Sequence, residues 1–150
     1  MKIAVGCDHR GLALKEEVLQ ELQKLGVAYE DKGCFSSASV DYPDVARQVA
    51  EGVASGAYQH GILICGTGIG MSMAANKVPG VRAALCNDTF SARMAREHNN
   101  ANVLCLGGTV MGPGPAREIV RAYLSASFQG GRHAVRVAKI EGTDRKRQET

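Results

Sequence analysis

The chain has 150 residues, 45% of them hydrophobic, and a formal net charge of +3, which is the size and composition of one globular domain with a core of its own. So mild a charge, with no Trp and few aromatics, argues against a nucleic-acid binder, which would carry a basic patch and stacking rings, but it suits a small anionic ligand. No apolar run approaches the roughly 18 residues of a membrane span, and the strand pattern that starts at once leaves no secretory leader, so a cytoplasmic protein is expected.

Short apolar runs alternate with helical stripes along the chain. "KIAVGC" reads as a buried strand, and "GLALKEEVLQELQKLG" follows as a helix with Leu12, Leu14, Val18, Leu22 and Leu25 near helical spacing and Gly26 as its stop. "VAYEDKG" is a weaker strand. "DYPDVARQVAEGVASG" is a second helix with Pro43 in its first turn. "GILIC" is the third strand, followed by a helix through "MSMAANKV". "RAALC" is the fourth strand, and "DTFSARMAREH" a helix with Asp88 as its cap. "NVLCLG" is the fifth strand and "GPAREIVRAYLSASF" the fifth helix. Gly130 and Gly131 break it, "RHAVRVAKIE" reads as a short last helix, and "GTDRKRQET" as a polar, solvated tail.

Five alternations of strand and helix without a linker imply one Rossmann-like α/β domain of three layers, a five-stranded parallel sheet covered by helices on both faces. The expected strand order is 2-1-3-4-5. The expected domain covers residues 1–141, with residues 142–150 as tail. In such sheets ligands bind beyond the carboxyl ends of the strands, where the strand order reverses. Those ends carry Cys7-Asp8-His9, Cys65-Gly66-Thr67, Cys86-Asn87-Asp88 and Gly107-Gly108-Thr109.

The segment "LICGTGIGMSMAANK" places a cysteine directly before alternating glycines. The glycines do not complete the GxGxxG dinucleotide fingerprint, and no Lys-Ser/Thr pair makes a phosphate-cradling Walker loop, although Asp88 lies about 20 residues on as a nucleotide reading would require. A tight turn with glycines for steric reasons is one reading. The other is a set of backbone amides at a helix N-terminus that hold a phosphate or a reaction oxyanion. Cys65 bears on that choice. A free thiol ionises near about 8.5, and a helix N-terminus lowers this, producing a base that works near neutral pH. A base beside oxyanion-stabilising amides suits proton abstraction next to a carbonyl, and one such donor contributes about 3 kcal/mol in the transition state. Acyl transfer by a nucleophilic cysteine needs the same parts, so the loop alone does not choose between them.

The remaining candidates each have a plainer reading. Asp8-His9 puts a carboxylate and an imidazole at the sheet edge, or simply caps the first helix. His98 and Asn99 end the fourth helix, where a histidine commonly serves as a C-terminal cap. Arg132 and Arg136 share a helix face at i,i+4 and can clamp a phosphate, or pair with glutamates. Five cysteines without a CxxC pair are expected as free thiols. Cys7, His9, Cys65 and Cys105 lack zinc-ligand spacing, and no metal is expected.

Taken in order, "GCDHRG", "DKG", "DYPDVA", "ICGTGIGMSMAANKVPGVRAAL", "AREHNNANVL" and "GGRHAVRV" resemble the type B ribose-5-phosphate isomerases, of the family that also includes galactose-6-phosphate and allose-6-phosphate isomerases. The resemblance covers roughly residues 1–140. It implies an aldose–ketose isomerase that works through an enediolate, without metal or organic cofactor. It implies that Cys65 moves the proton between carbons 1 and 2, that Thr67 assists it, and that the amides of Gly66, Thr67, Gly68, Ile69 and Gly70 bind the enediolate oxygens. By the same resemblance His98 helps to open the furanose ring with Asp8 nearby, Asn99 contacts sugar hydroxyls, and His9, Arg132 and Arg136 hold the phosphate. The family's active site lies between subunits, which implies a homodimer or homotetramer with a C-terminal helix reaching the partner. One departure stands out: Thr109 follows the glycines of the fifth strand where relatives often carry an Arg that reaches phosphate, which raises a six-carbon sugar phosphate or a free aldose as alternative substrates. A non-catalytic phosphosugar- or nucleotide-binding module is the alternative outside the enzymes.

Overall fold

The computed structural model describes residues 1–148, with side chains described through residue 142. Eleven elements follow one another: β1 (Lys2–Cys7), α1 (Leu12–Lys24), β2 (Ala28–Asp31), α2 (Tyr42–Ala54), β3 (His60–Cys65), α3 (Ile69–Ala75), β4 (Ala83–Leu85), α4 (Thr89–Glu97), β5 (Val103–Gly107), α5 (Pro113–Ser125) and α6 (Arg132–Gln148). All strand pairings are parallel. Parallel neighbours require crossover connections, and each crossover here carries a helix.

The central strands β1, β3 and β5 are buried along almost their whole length, as strands covered on both faces must be. One face packs Ile3, Val5, Ile62, Ile64, Leu104 and Leu106 against α1, α4 and α5, among them Val18, Leu22, Ile119 and the fully buried Tyr123. The other packs Ala4, Leu63, Cys65 and Cys105 against Val49, Ala50 and Val53 of α2 and Met71 and Ala75 of α3. The expected three-layer architecture is therefore present.

The strand order is β2-β1-β3-β5-β4, so the last two strands exchange the places expected for them. Burial explains the exchange. β5 is buried at all five positions, whereas β4 has three residues, each only half-buried. The fully apolar strand takes the interior place and the short one the edge. The connection from β3 runs past β5's position to β4, and α4 returns on the opposite face, which keeps the crossovers right-handed.

Local signals act as anticipated at several element ends. Asp88 caps α4, its carboxylate accepting from the Ser91 N–H at 2.6 Å. Pro43 sits in the first turn of α2. The last helix differs from its expected length: α6 continues through the stretch expected as tail to Gln148, and residues 149 and 150 lie outside the described residues. α3 stops at Ala75, short of Val78, which turns instead through hydrogen bonds from Lys77 and Val78 back to α3.

Candidate active site

The chain leaves β1 toward one side of the sheet and β3 toward the other, so the crevice beyond their carboxyl ends is the switch point. A cleft of about 840 Å3 opens there. Its floor comes from Asp8 and His9 after β1 and from Cys65, Gly66, Thr67 and Gly70 after β3.

Cys65 ends β3, is only 4% exposed and packs in the core face under α2 and α3, but its Sγ accepts the Gly68 N–H at 3.1 Å and the residue also lines the cleft. The loop that permits this is held by glycine for two reasons. Gly68 has φ +79°, and a Cβ there would meet Leu85 Cδ1 at 2.5 Å and the Leu106 carbonyl carbon at 2.9 Å. Gly70 is needed for a different reason, since its Cβ would strike the Tyr42 ring at 2.6 Å. Thr67 Oγ1 accepts the Ile69 N–H at 3.2 Å. The first turn of α3 leaves the Gly70 and Met71 N–H groups without intrahelical acceptors.

The other thiols differ in kind. Burial pushes Cys7 up to about 12 and Cys86 up to about 11, and it drives the fully enclosed Cys105 further still. Burial therefore disfavours the thiolate form at all three.

Asp8 is 5% exposed, and its Oδ1 accepts from the N–H groups of Arg10 (2.9 Å) and Gly11 (3.1 Å), so the carboxylate both closes the turn into α1 and faces the cleft. His9 Nδ1 accepts the Val40 N–H at 3.3 Å, which ties the loop after β2 to the cleft. That loop and the start of α2 supply a wall: Ser39, Val40 and Asp41, then Tyr42, Pro43 and Asp44. Asp41 to Asp44 lie in the "DYPDVA" motif, though no site role was expected of them. Ser39 and Val40 gave no signal beyond their position after the carboxyl end of a strand beside β1. Arg10 and Met73 also line the cleft.

Thr109, expected among the substrate-binding residues, is not one of the residues that line the cleft. Its hydroxyl donates to the Gly66 carbonyl at 2.6 Å and its N–H to the same oxygen at 3.0 Å, so it buttresses the glycine loop from the β5 side.

His98, Asn99, Arg132 and Arg136 are not among the residues that line this cleft. They form a second group at the carboxyl end of α4 and the start of α6. His98 caps α4 and stacks on His133, ring centroids 4.1 Å apart and planes 9° from parallel. Gln129 joins the two elements, its N–H donating to the Glu97 carbonyl at 3.0 Å and its amide to the Glu97 carboxylate at 3.1 Å. Arg132 and Arg136 are exposed beside the stack. Burial, reinforced by His98 and the two arginines, lowers the His133 pKa, and its buried Nε2 has no hydrogen-bond partner. His133 was not singled out by sequence, although it lies inside the "GGRH" run. Among the described residues no group of three His, Cys, Asp or Glu converges to hold a metal, and no helix is long and apolar enough to cross a membrane.

Comparison with known proteins agrees with this architecture. Residues 3–140 match the model of the Ribose/Galactose Isomerase family. The chain is 49% identical over 146 residues to the ribose-5-phosphate isomerase B of Escherichia coli (strain K12), covering 97% of this chain and 98% of that one. It is 46% identical over 141 residues to the D-erythrulose-4-phosphate isomerase of Pectobacterium atrosepticum, covering 93% of each. The solved structure of Clostridium thermocellum ribose-5-phosphate isomerase B superposes with a TM-score of 0.96 at 53% identity, over 97% of this chain and 99% of that one. The family model spans nearly the whole chain, and the sequence and structural relatives agree with it: the chain is an isomerase of sugar phosphates and belongs to the ribose/galactose isomerase family.

Proposed function

We propose that the chain interconverts ribose 5-phosphate and ribulose 5-phosphate through an enediolate, with Cys65 as the base that carries the proton between carbons 1 and 2. The observation that carries this reading is the placement of the Cys65 sulfur at the floor of the cleft with the Gly68 N–H on it. In the forward direction the sulfur takes the proton from carbon 2 of the open-chain aldose. The electron pair moves into the carbon 1–carbon 2 bond, and the carbonyl at carbon 1 becomes an enediolate oxygen. Amides of the Gly66–Gly70 arch other than those of Gly68 and Ile69, which already meet Cys65 Sγ and Thr67 Oγ1, receive that charge. The hydroxyl proton of oxygen 2 passes to oxygen 1, the electron pair on oxygen 2 forms the carbonyl at carbon 2, and carbon 1 takes the proton back from the sulfur, which yields the ketose. Thr67 orients the arch through its hydrogen bond with Ile69.

The ring-opening acid and part of the phosphate site lie outside the cleft of one chain, which contains His9 but neither His98 nor the arginine pair. A second copy supplies them: its His98 helps to open the furanose, its Asn99 meets the sugar hydroxyls, and its Arg132 and Arg136 join His9 on the phosphate. Binding energy at the non-reacting phosphate then holds the reacting carbons against the sulfur. In this reading the catalytic unit is at least a dimer, residues 1–141 form the isomerase domain, and α6 is the element that reaches the partner.

A second reading, isomerisation of a four- or six-carbon sugar phosphate or a free aldose, is favoured by Thr109. Its hydroxyl is engaged with Gly66, so this position brings no positive charge to the phosphate, and one relative carries the name of a four-carbon phosphate isomerase. Measuring kcat/KM on ribose 5-phosphate, erythrulose 4-phosphate, allose 6-phosphate and free allose separates the readings. In the same assay Cys65→Ala is expected to lower kcat at least about 100-fold with the fold intact by circular dichroism. A loss of only a few-fold would assign the proton to another residue.

A further inference from the structure

Cys7 and Cys34 take no part in the chemistry above, yet the fold brings them together. Cys7 is the last residue of β1 and has no solvent exposure. Cys34 begins the loop after β2 and is half-buried. Their sulfurs lie 3.8 Å apart, in van der Waals contact. The backbones are equally close: the Cys7 N–H donates to the Gly33 carbonyl and the Cys34 N–H to the Cys7 carbonyl at 2.7 Å. Such hydrogen bonds put the two Cα atoms at the spacing of neighbouring strands, about 5 Å, inside the range of about 4.4–6.8 Å that a disulfide spans. Beside the pair, Lys15 is buried with its Nζ donating to the Cys34 carbonyl at 2.6 Å and to Asp31 Oδ1 at 2.9 Å.

We propose that Cys7 and Cys34 form a redox-modification site, which a hydroperoxide oxidises reversibly to an intramolecular disulfide with Cys34 reacting first. Cys34 is the accessible member of the pair. Its thiol proton points to the Ser36 carbonyl at 3.4 Å, which leaves a sulfur lone pair for the contact with Cys7. The Cys34 sulfur attacks one peroxide oxygen, the O–O bond breaks, and the departing oxygen leaves as an alcohol or water, giving a sulfenic acid. The Cys7 sulfur then attacks that sulfur. The S–O bond breaks, and hydroxide departs as water with the Cys7 proton. Two thiols lose two electrons in all, and the hydroperoxide gains them. The order follows from the environments: burial pushes the Cys7 thiol up to about 12, opposed by the nearby Lys15 charge, so Cys7 does not attack a peroxide itself but can resolve a sulfenic acid held against it.

The position gives the bond a consequence. Cys7 immediately precedes Asp8, and Cys34 opens the segment that carries Ser39 and Val40 to the cleft wall and to His9. Drawing two sulfurs from contact to bonding distance moves that segment against β1, so the oxidised protein is expected to show a KM changed at least about two-fold with kcat retained, as binding without chemistry would be affected.

The test is treatment of the full-length protein with a small excess of hydrogen peroxide, alkylation of remaining thiols, and peptide mapping by mass spectrometry with and without dithiothreitol. A Cys7–Cys34 linked peptide that vanishes on reduction, with Cys65 still alkylated, supports the site, and Cys34→Ser must abolish it. Cys34 recovered as a sulfinic acid beside a free Cys7, or oxidation confined to Cys65, overturns it. KM values equal in the two forms overturn the coupling to the cleft. Cys34 is not in the core, so the Cys34→Ser variant folds where a change at Cys7 could fail.

Discussion

Single side chains decide more here by their surroundings than by their type. The five thiols show this: three are driven out of the useful range by burial, one faces an amide at the floor of a cleft, and one sits half-exposed against a buried neighbour. Histidines divide in the same way. The Tyr123 hydroxyl donates to the Ala101 carbonyl at 2.8 Å, so its oxygen must accept from His60 Nδ1 at 3.1 Å, which fixes the neutral tautomer of His60. Burial and the Arg96 charge lower the His60 pKa from 6.5 to about 4. In that window the unfolded chain binds the proton and the native protein does not, so stability declines as the pH falls from 6.5 to about 4. His133, also lowered, acts in the same direction. Urea midpoints across this range are expected to fall for the wild type and to vary less for His60→Gln. Identical profiles would remove His60 as the cause.

At the scale of elements, the loop from β3 into α3 is the piece whose geometry the chemistry needs. Gly68→Ala asks a side chain to adopt a left-handed backbone and to overlap the Leu106 carbonyl and Leu85. The expected cost is about 1–3 kcal/mol, with a displaced Gly68 N–H and a kcat loss larger than the stability loss would explain. Thermal unfolding and kinetics on the same preparation check both halves; an active variant of unchanged stability would show that the arch tolerates a Cβ. This element was legible in the sequence because a cysteine and three alternating glycines leave few backbone options. Ser39 and Val40 were not, because a cleft wall built from an irregular segment leaves no periodic trace, although the adjoining "DYPDVA" stood out as a motif. Strand order was half legible: alternation of strand and helix implies a parallel sheet, but lateral order depends on which strands are buried on both faces. The contrast between apolar "NVLCLG" and short "RAAL" held that information. The length of α6 was hidden by its polar composition, which reads equally as a solvated helix or a tail.

For the whole molecule, the separation of two functional groups matters most. The cleft holds the Cys65 sulfur, while the His98–His133 stack and the arginine pair form a group apart. If one active site draws on two chains, Cys65→Ala and His98→Ala proteins, each nearly inactive, are expected to regain activity when unfolded and refolded together. Mixed dimers then contain one intact site, so activity should approach about a quarter of wild type under random pairing of equal amounts. No recovery, with mixed dimers demonstrated by mass, would place a complete site within one chain. The family features were visible in the sequence as separate motifs, and the resemblance implied a site between subunits; spacing along the chain by itself carries no record of which molecule a side chain serves.

The sheet's rims constrain how such copies can meet. One edge is β4, three residues long, and the other is β2, four residues long and only partly buried. Strands this brief are poor templates for a further strand, so the sheet resists being continued from one molecule into the next. Growth into open-ended, amyloid-like ribbons is disfavoured by the same architecture.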